Sequence, residues 1–127
     1  MNAWTVAAYA AGGAGSLLRY LVDAATKARV TAQLPLATIG INIVGSALLG
    51  LITGLVLFAS APSTLALIVG TGFCGGFTTF STASFETVAL ARRGENRLAL
   101  VNVLGTWVAA TLACGGGMWL AWLLHGL

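Results

Sequence analysis

The residues with most chemical potential lie in one stretch. It reads Gly70-Thr71-Gly72-Phe73-Cys74-Gly75-Gly76-Phe77-Thr78-Thr79-Phe80-Ser81-Thr82-Ala83-Ser84-Phe85-Glu86-Thr87. Four glycines and a dense run of hydroxyls are poor material for an unbroken helix. A break across Gly75-Gly76-Phe77-Thr78-Thr79-Phe80-Ser81-Thr82 would free carbonyls and amides. Carbonyl oxygens suit a hard cation such as Na⁺, whereas amides and hydroxyls suit an anion. The competing reading is a glycine-rich but continuous helix packed tightly on a neighbour. The residues alone leave these two readings level.

Other polar groups stand out against apolar surroundings. Asn42 lies in the middle of an apolar run, and its amide offers two N–H donors and one acceptor. An interhelical hydrogen bond is its ordinary use. Arg19 and Asp23 are four residues apart on one helical face. They suit a snorkelling arginine with a nearby acid, or a cation that draws anions to a vestibule. Glu86 follows the hydroxyl-rich segment and would line a watery mouth or reach the interface. Phe77, Phe80 and Phe85 are packing residues in the plain reading. Their ring edges carry partial positive charge and can also touch an anion. Asn amide, Ser/Thr hydroxyls and ring edges together make a path for a small anion. A fixed Lys or Arg in the narrow part would hold the ion too tightly.

Cys74 and Cys114 lack metal-ligand spacing and read as small buried residues. His125 reads as an interfacial residue. No nucleophile–base pair or metal cluster points to an enzyme.

The composition says where these groups must work. Of 127 residues, 58% are hydrophobic and 7% charged, and the mean hydropathy is +0.95. So few charges cannot clothe a water-soluble surface. A spanning helix needs about 20 apolar residues. Four spans are expected, roughly Trp4–Ala25, Leu34–Ala59, Thr64–Ala91 and Leu98–Leu124, filling residues 1–127 as one all-α membrane domain. The first span lacks a basic leader and an Ala-x-Ala cleavage pattern, and is read as a retained helix. Lys27-Ala28-Arg29, Ser60-Ala61-Pro62-Ser63 and Arg92-Arg93-Gly94-Glu95-Asn96-Arg97 read as connections. Trp4, Trp119 and Trp122 fall near span ends, where indoles favour the interface. Trp107 is deeper and reads as a packing residue. Small residues at Gly12/Ser16 and Ser46/Gly50/Gly54 suit close helix packing. Gly115-Gly116-Gly117 is a candidate kink. A net charge of +3 without a basic, aromatic-interleaved run argues against nucleic acid.

The basic loop residues fall in the first and third connections, on one side of the membrane. The positive-inside rule then puts both termini outside. Four helices alone bury little surface, so an oligomer is expected.

Three segments carry a resemblance over nearly the whole chain: Gly12-Gly13-Ala14-Gly15-Ser16-Leu17-Leu18-Arg19-Tyr20, Thr38-Ile39-Gly40-Ile41-Asn42-Ile43-Val44-Gly45, and Gly72 to Thr82 followed by Glu86. In these the sequence resembles the Fluc (CrcB) family of fluoride channels. The third segment is the specific one. The resemblance implies an antiparallel dimer of four-helix subunits with two pores in the cell's inner (plasma) membrane. It implies a structural Na⁺ at the dimer centre, held by carbonyls of Gly75 and Thr78. Asn42, Phe80, Ser81, Thr82, Glu86 and Thr106 would belong to the fluoride path, with Arg19 near the vestibule.

The chain departs from that pattern at two places. Family members usually carry a second phenylalanine where this chain has Ala83. Phe85, about 200° further round a helix, cannot stand in for it. Asn102 stands where the family often has Tyr. With the lopsided loop charge, this raises a heterodimer with a paralogue beside the homodimer. It also raises a non-conducting subunit beside the passive fluoride channel. A small multidrug or guanidinium exporter shares only the size, and its first helix would need a deep acid that Asp23 does not supply.

Overall fold

The computed structural model describes all residues from Met1 to Leu127. It is a bundle of helices without strands: α1 (Ala3–Arg29), α2 (Leu36–Phe58), α3 (63–77), α4 (Phe80–Arg92) and α5 (Asn96–His125). α3 and α4 are the halves of one interrupted rod. Residues Leu36–Phe58, Ser63–Arg92 and Asn96–His125 are long and apolar enough to cross a membrane. α1 has 27 residues, about 40 Å at 1.5 Å per residue, and is long enough as well. Arg19, Asp23, Lys27 and Arg29 make it the least apolar of the set.

Local chemistry sets the ends. The Asn2 side chain accepts the Thr5 N–H at 2.9 Å and caps α1. Ser60 (φ 55°) turns the chain between α2 and α3. Gly94 (φ +80°) reverses it after α4, a conformation glycine adopts without a Cβ penalty. The Arg93–Glu95 ion pair (3.5 Å) lies in the same turn.

α2 packs chiefly on α5, and α1 on α3. Both contacts depend on missing side chains. A Cβ on Gly50 would run into the Cys114 carbonyl, and one on Gly76 into the Gly12 carbonyl. Small residues thus let the rods touch backbone to backbone, where lipid offers no hydrophobic drive for association. Two stretches wind as π-helix, Ala66–Cys74 in α3 and Val101–Gly105 in α5.

Three expectations change in the structure. Lys27-Ala28-Arg29 is the last turn of α1 and not a loop. Gly115-Gly116-Gly117 lies in an uninterrupted α-helix, because ladder bonds carry straight through and Gly117 seats against the Ala47 carbonyl. The break is narrower than Gly75 to Thr82. Gly75–Phe77 remains helical, α4 starts at Phe80, and only Thr78 and Thr79 are unwound.

Candidate functional site

Thr78 (φ −76°, ψ 160°) and Thr79 (φ −149°, ψ 123°) are extended, which separates α3 from α4. Their polar groups are taken up one by one. The Asn42 Nδ2 donates to the Thr79 carbonyl at 2.9 Å. The Thr79 N–H donates to the Asn42 Oδ1 at 2.8 Å. One amide on α2 thus stands in for two missing ladder bonds. The Thr79 hydroxyl accepts the Thr82 N–H at 3.2 Å and caps α4. The Thr78 N–H (2.9 Å) and hydroxyl (2.8 Å) both donate to the Cys74 carbonyl.

This wiring diverts donors from two carbonyls. In a continuous helix the Thr79 N–H would serve Gly75, and the Thr82 N–H would serve Thr78. Both go elsewhere. The Gly76 carbonyl, lying between them in sequence, is occupied. It accepts from the Ser16 hydroxyl at 3.2 Å and from Arg19 Nε at 3.1 Å. The carbonyl oxygens of Gly75 and Thr78 thus lose their ladder N–H groups, and such hard oxygens suit a monovalent cation.

Arg19 is held by the break, and Asp23 instead pairs with Lys27 at 2.9 Å. The i,i+4 spacing of the acid works forward along α1 because Arg19 has turned to α3. The arginine reaches the break from α1, which packs along α3.

Below the break, α2, α4 and α5 enclose a groove of about 540 Å³. Its polar walls are Asn42, Ser46, Thr79, Ser84, Thr87 and Asn102, with Thr78 and Thr106 beside them. Phe80, 88% exposed, stands on its rim. No Lys, Arg, Asp or Glu lines it. Asn102, only 3% exposed, donates to the Thr87 hydroxyl at 2.8 Å. That hydroxyl donates to the Ala83 carbonyl at 2.8 Å. Asn102 and Thr87 are thereby paired, as a membrane interior requires, whereas the buried Thr106 hydroxyl has no partner within the subunit.

The structure sorts the residues singled out from the sequence. Asn42, Phe80 and Thr106 meet at the groove, and Thr78 touches its upper end. Ser81 is exposed and off the groove, and Thr82 is tied to Thr79. Glu86 lines a separate cavity of about 110 Å³ with Thr26, Lys27 and Pro35. Helical period explains the split. Phe80, Ala83, Ser84, Thr87 and Val88 follow the i, i+3, i+4, i+7, i+8 stripe of one face. Ser81, Thr82 and Glu86 fall outside it. Ser84 and Thr87 join the site, and counting that stripe from Phe80 finds both. The Thr79–Asn42 pairing has no sequence signal.

Comparison with known proteins fits this arrangement. Residues 6–118 match the family model described as CrcB-like protein, Camphor Resistance (CrcB). The chain is 44% identical over 113 residues to the fluoride-specific ion channel FluC 1 of Leifsonia xyli, covering 89% of this chain and 82% of that one. It is 44% identical over 104 residues to FluC 2 of Cutibacterium acnes, covering 81% and 85%. It is 42% identical over 110 residues to FluC 2 of Mycobacterium tuberculosis, covering 87% and 84%. With its apolar helices, its interrupted third rod and a family match over most of its length, this chain is a multi-pass membrane protein of the CrcB family.

Proposed function

We propose that the chain is a subunit of a fluoride-selective channel that lets a cell shed fluoride passively through its plasma membrane. The groove carries this reading. It gathers hydroxyls, the amide of Asn42 and the ring of Phe80 without a fixed charge. A small anion that sheds water needs such donors, and it leaves easily only where no cation traps it. The relatives named fluoride-specific ion channels support fluoride as that anion.

The functional unit is an antiparallel dimer. Unwound backbone within a bilayer must be covered by protein or water, yet Thr78 and Thr79 are only half-buried on the single subunit and the adjoining Phe80 and Ser81 are exposed. A second subunit supplies that cover. The partner is another copy or a paralogue of opposite orientation, and the one-sided loop charge supports the paralogue. Na⁺ is the ion for the Gly75 and Thr78 carbonyls. When bound it neutralises clustered carbonyl dipoles and joins subunits. Asn42 and Arg19 contribute by holding the neighbouring backbone so that those oxygens stay free. Ser81, Thr82 and Glu86 lie off the groove, so a contribution to the ion path comes through the surface that meets the partner.

The test is fluoride efflux from liposomes loaded with fluoride and containing the purified chain, alone and with a paralogue. Rapid efflux with chloride retained is expected. Efflux no faster than from empty liposomes in both preparations would sink the reading.

A further inference from the structure

Trp107 is anomalous among the tryptophans. Trp4, Trp119 and Trp122 lie towards helix ends, but Trp107 lies near the start of the long α-helical part of α5, next to Thr106. It is not packed inside the subunit: it is 68% exposed. It lines the groove with Asn42, Phe80, Ala83 and Thr106. Its carbonyl accepts the Thr111 hydroxyl at 2.8 Å, while its indole N–H meets no acceptor within the chain. A buried or membrane-embedded indole usually finds a partner for that donor.

The π-helical segment Val101–Gly105 explains how the ring reaches the groove. In an α-helix, residues five apart lie about 140° from each other. Bonding from i to i+5 widens the turn and brings such residues nearly into line. Asn102 and Trp107 are five apart across this segment, and both face the groove. Opposite them, α4 presents Ala83, whose methyl leaves the wall open. The groove keeps about 540 Å³ with Trp107 already in its wall, so the partner subunit closes most of that space and the ring of Trp107 bounds it on this side.

We propose that Trp107 is a specificity-determining wall of the ion path, its indole narrowing the groove beside Ala83 and presenting a positive ring edge to the anion. The inference rests on the fluoride-channel reading and deepens it. Aromatic edges attract anions while repelling none of the traffic by full charge. A ring is also stiff enough to exclude a larger halide, which a flexible aliphatic chain is not.

The experiment measures fluoride and chloride efflux from liposomes for the unaltered assembled channel, Trp107→Leu, Trp107→Phe, Ala83→Phe and Trp107→Leu/Ala83→Phe. Assembly is followed by size-exclusion chromatography. Trp107→Leu should lower the fluoride-to-chloride ratio by about tenfold, the scale set by losing one aromatic contact. Trp107→Phe should keep most of it, and Ala83→Phe should restore it in the double variant by supplying a ring from α4. That rescue is a readout which simple destabilisation would not give. If Trp107→Leu fails to assemble, Trp107→Met takes its place, with apolar bulk but no ring. Normal assembly and an unchanged ratio in the ring-less variant overturn the inference while leaving the channel reading intact. An unaltered chain that is silent where Ala83→Phe conducts also overturns the inference, because Trp107 then fails to supply the ring that the ion path needs, and it counts against the unaltered chain as a channel by itself. If neither conducts, the channel reading falls and takes this inference with it.

Discussion

The side-chain amide of Asn42 grips the backbone of Thr79 at both ends, Nδ2 to its carbonyl at 2.9 Å and Oδ1 from its N–H at 2.8 Å. An amide side chain has the same donor and acceptor pair as a peptide unit, so it replaces ladder bonds that the break removes. One N–H of Asn42 is left over, and it lies at the groove. The same residue therefore holds the break and offers a donor beside it.

Asn42→Ala removes both bonds and leaves Thr79 unpaired within the bilayer. Destabilisation on the order of 2 kcal/mol is expected, since each orphaned group costs about 1–3 kcal/mol where no water reaches it. Thermal unfolding in detergent reads the loss, and fluoride efflux should vanish. Wild-type melting would show that water or another side chain takes over the pairing.

Phe80 touches little inside the subunit and stands at the groove rim. Phe80→Leu should therefore leave folding of the single chain within about 0.5 kcal/mol, as for most exposed substitutions. Efflux should fall sharply. Equal efflux from the variant and the unaltered chain would remove Phe80 from the ion path.

Ser16 and Arg19 both donate to the Gly76 carbonyl. Ser16→Ala should cost about 1 kcal/mol, the usual net value of a neutral hydrogen bond, and Arg19→Gln about 2 kcal/mol for one made by a charged group. The double variant should lose more than the sum, because either donor alone satisfies that oxygen and only their joint removal orphans it. A strictly additive double variant would mean that the two act on different groups.

Gly50 and Gly115 should respond in opposite ways. Gly50→Leu forces α2 away from α5 at the Cys114 carbonyl, and loss of folded protein is expected. Gly115 faces open space, and Gly115→Ala should stabilise by up to about 1 kcal/mol through helix propensity. Melting temperatures of the two purified variants give the comparison, and a tolerated Gly50→Leu contradicts the backbone-to-backbone contact.

Exchanging Na⁺ for a large organic cation should weaken the assembled dimer if the Gly75 and Thr78 carbonyls hold the ion. The effect follows mass action, about 2.7 kcal/mol of stabilisation at a hundredfold excess over the dissociation constant. Dimer dissociation followed against Na⁺ concentration measures it. A dimer indifferent to Na⁺ at every concentration would leave those carbonyls to water or to the partner.

The sequence by itself determined the solvent, the helical class and the segment in which an interruption could fall. Composition settles the first, because so few charges cannot face water. Glycines and hydroxyls between Gly70 and Thr87 mark the third, because they lower helix propensity locally whatever surrounds them. What the tertiary structure decided depends on residues far apart in the chain. Asn42 meets Thr79 across 37 positions, and Arg19 meets Gly76 across 57. No local rule selects such partners, and so Arg19 looked free for Asp23 until α1 packed on α3. The π-helical turn that brings Asn102 and Trp107 to one face was equally hidden, since a count at 3.6 residues per turn sets them apart. The weak segment was therefore written locally, whereas the break at Thr78 and Thr79 was decided when Asn42 took up the Thr79 backbone, and the groove below it was made only when α2, α4 and α5 came together.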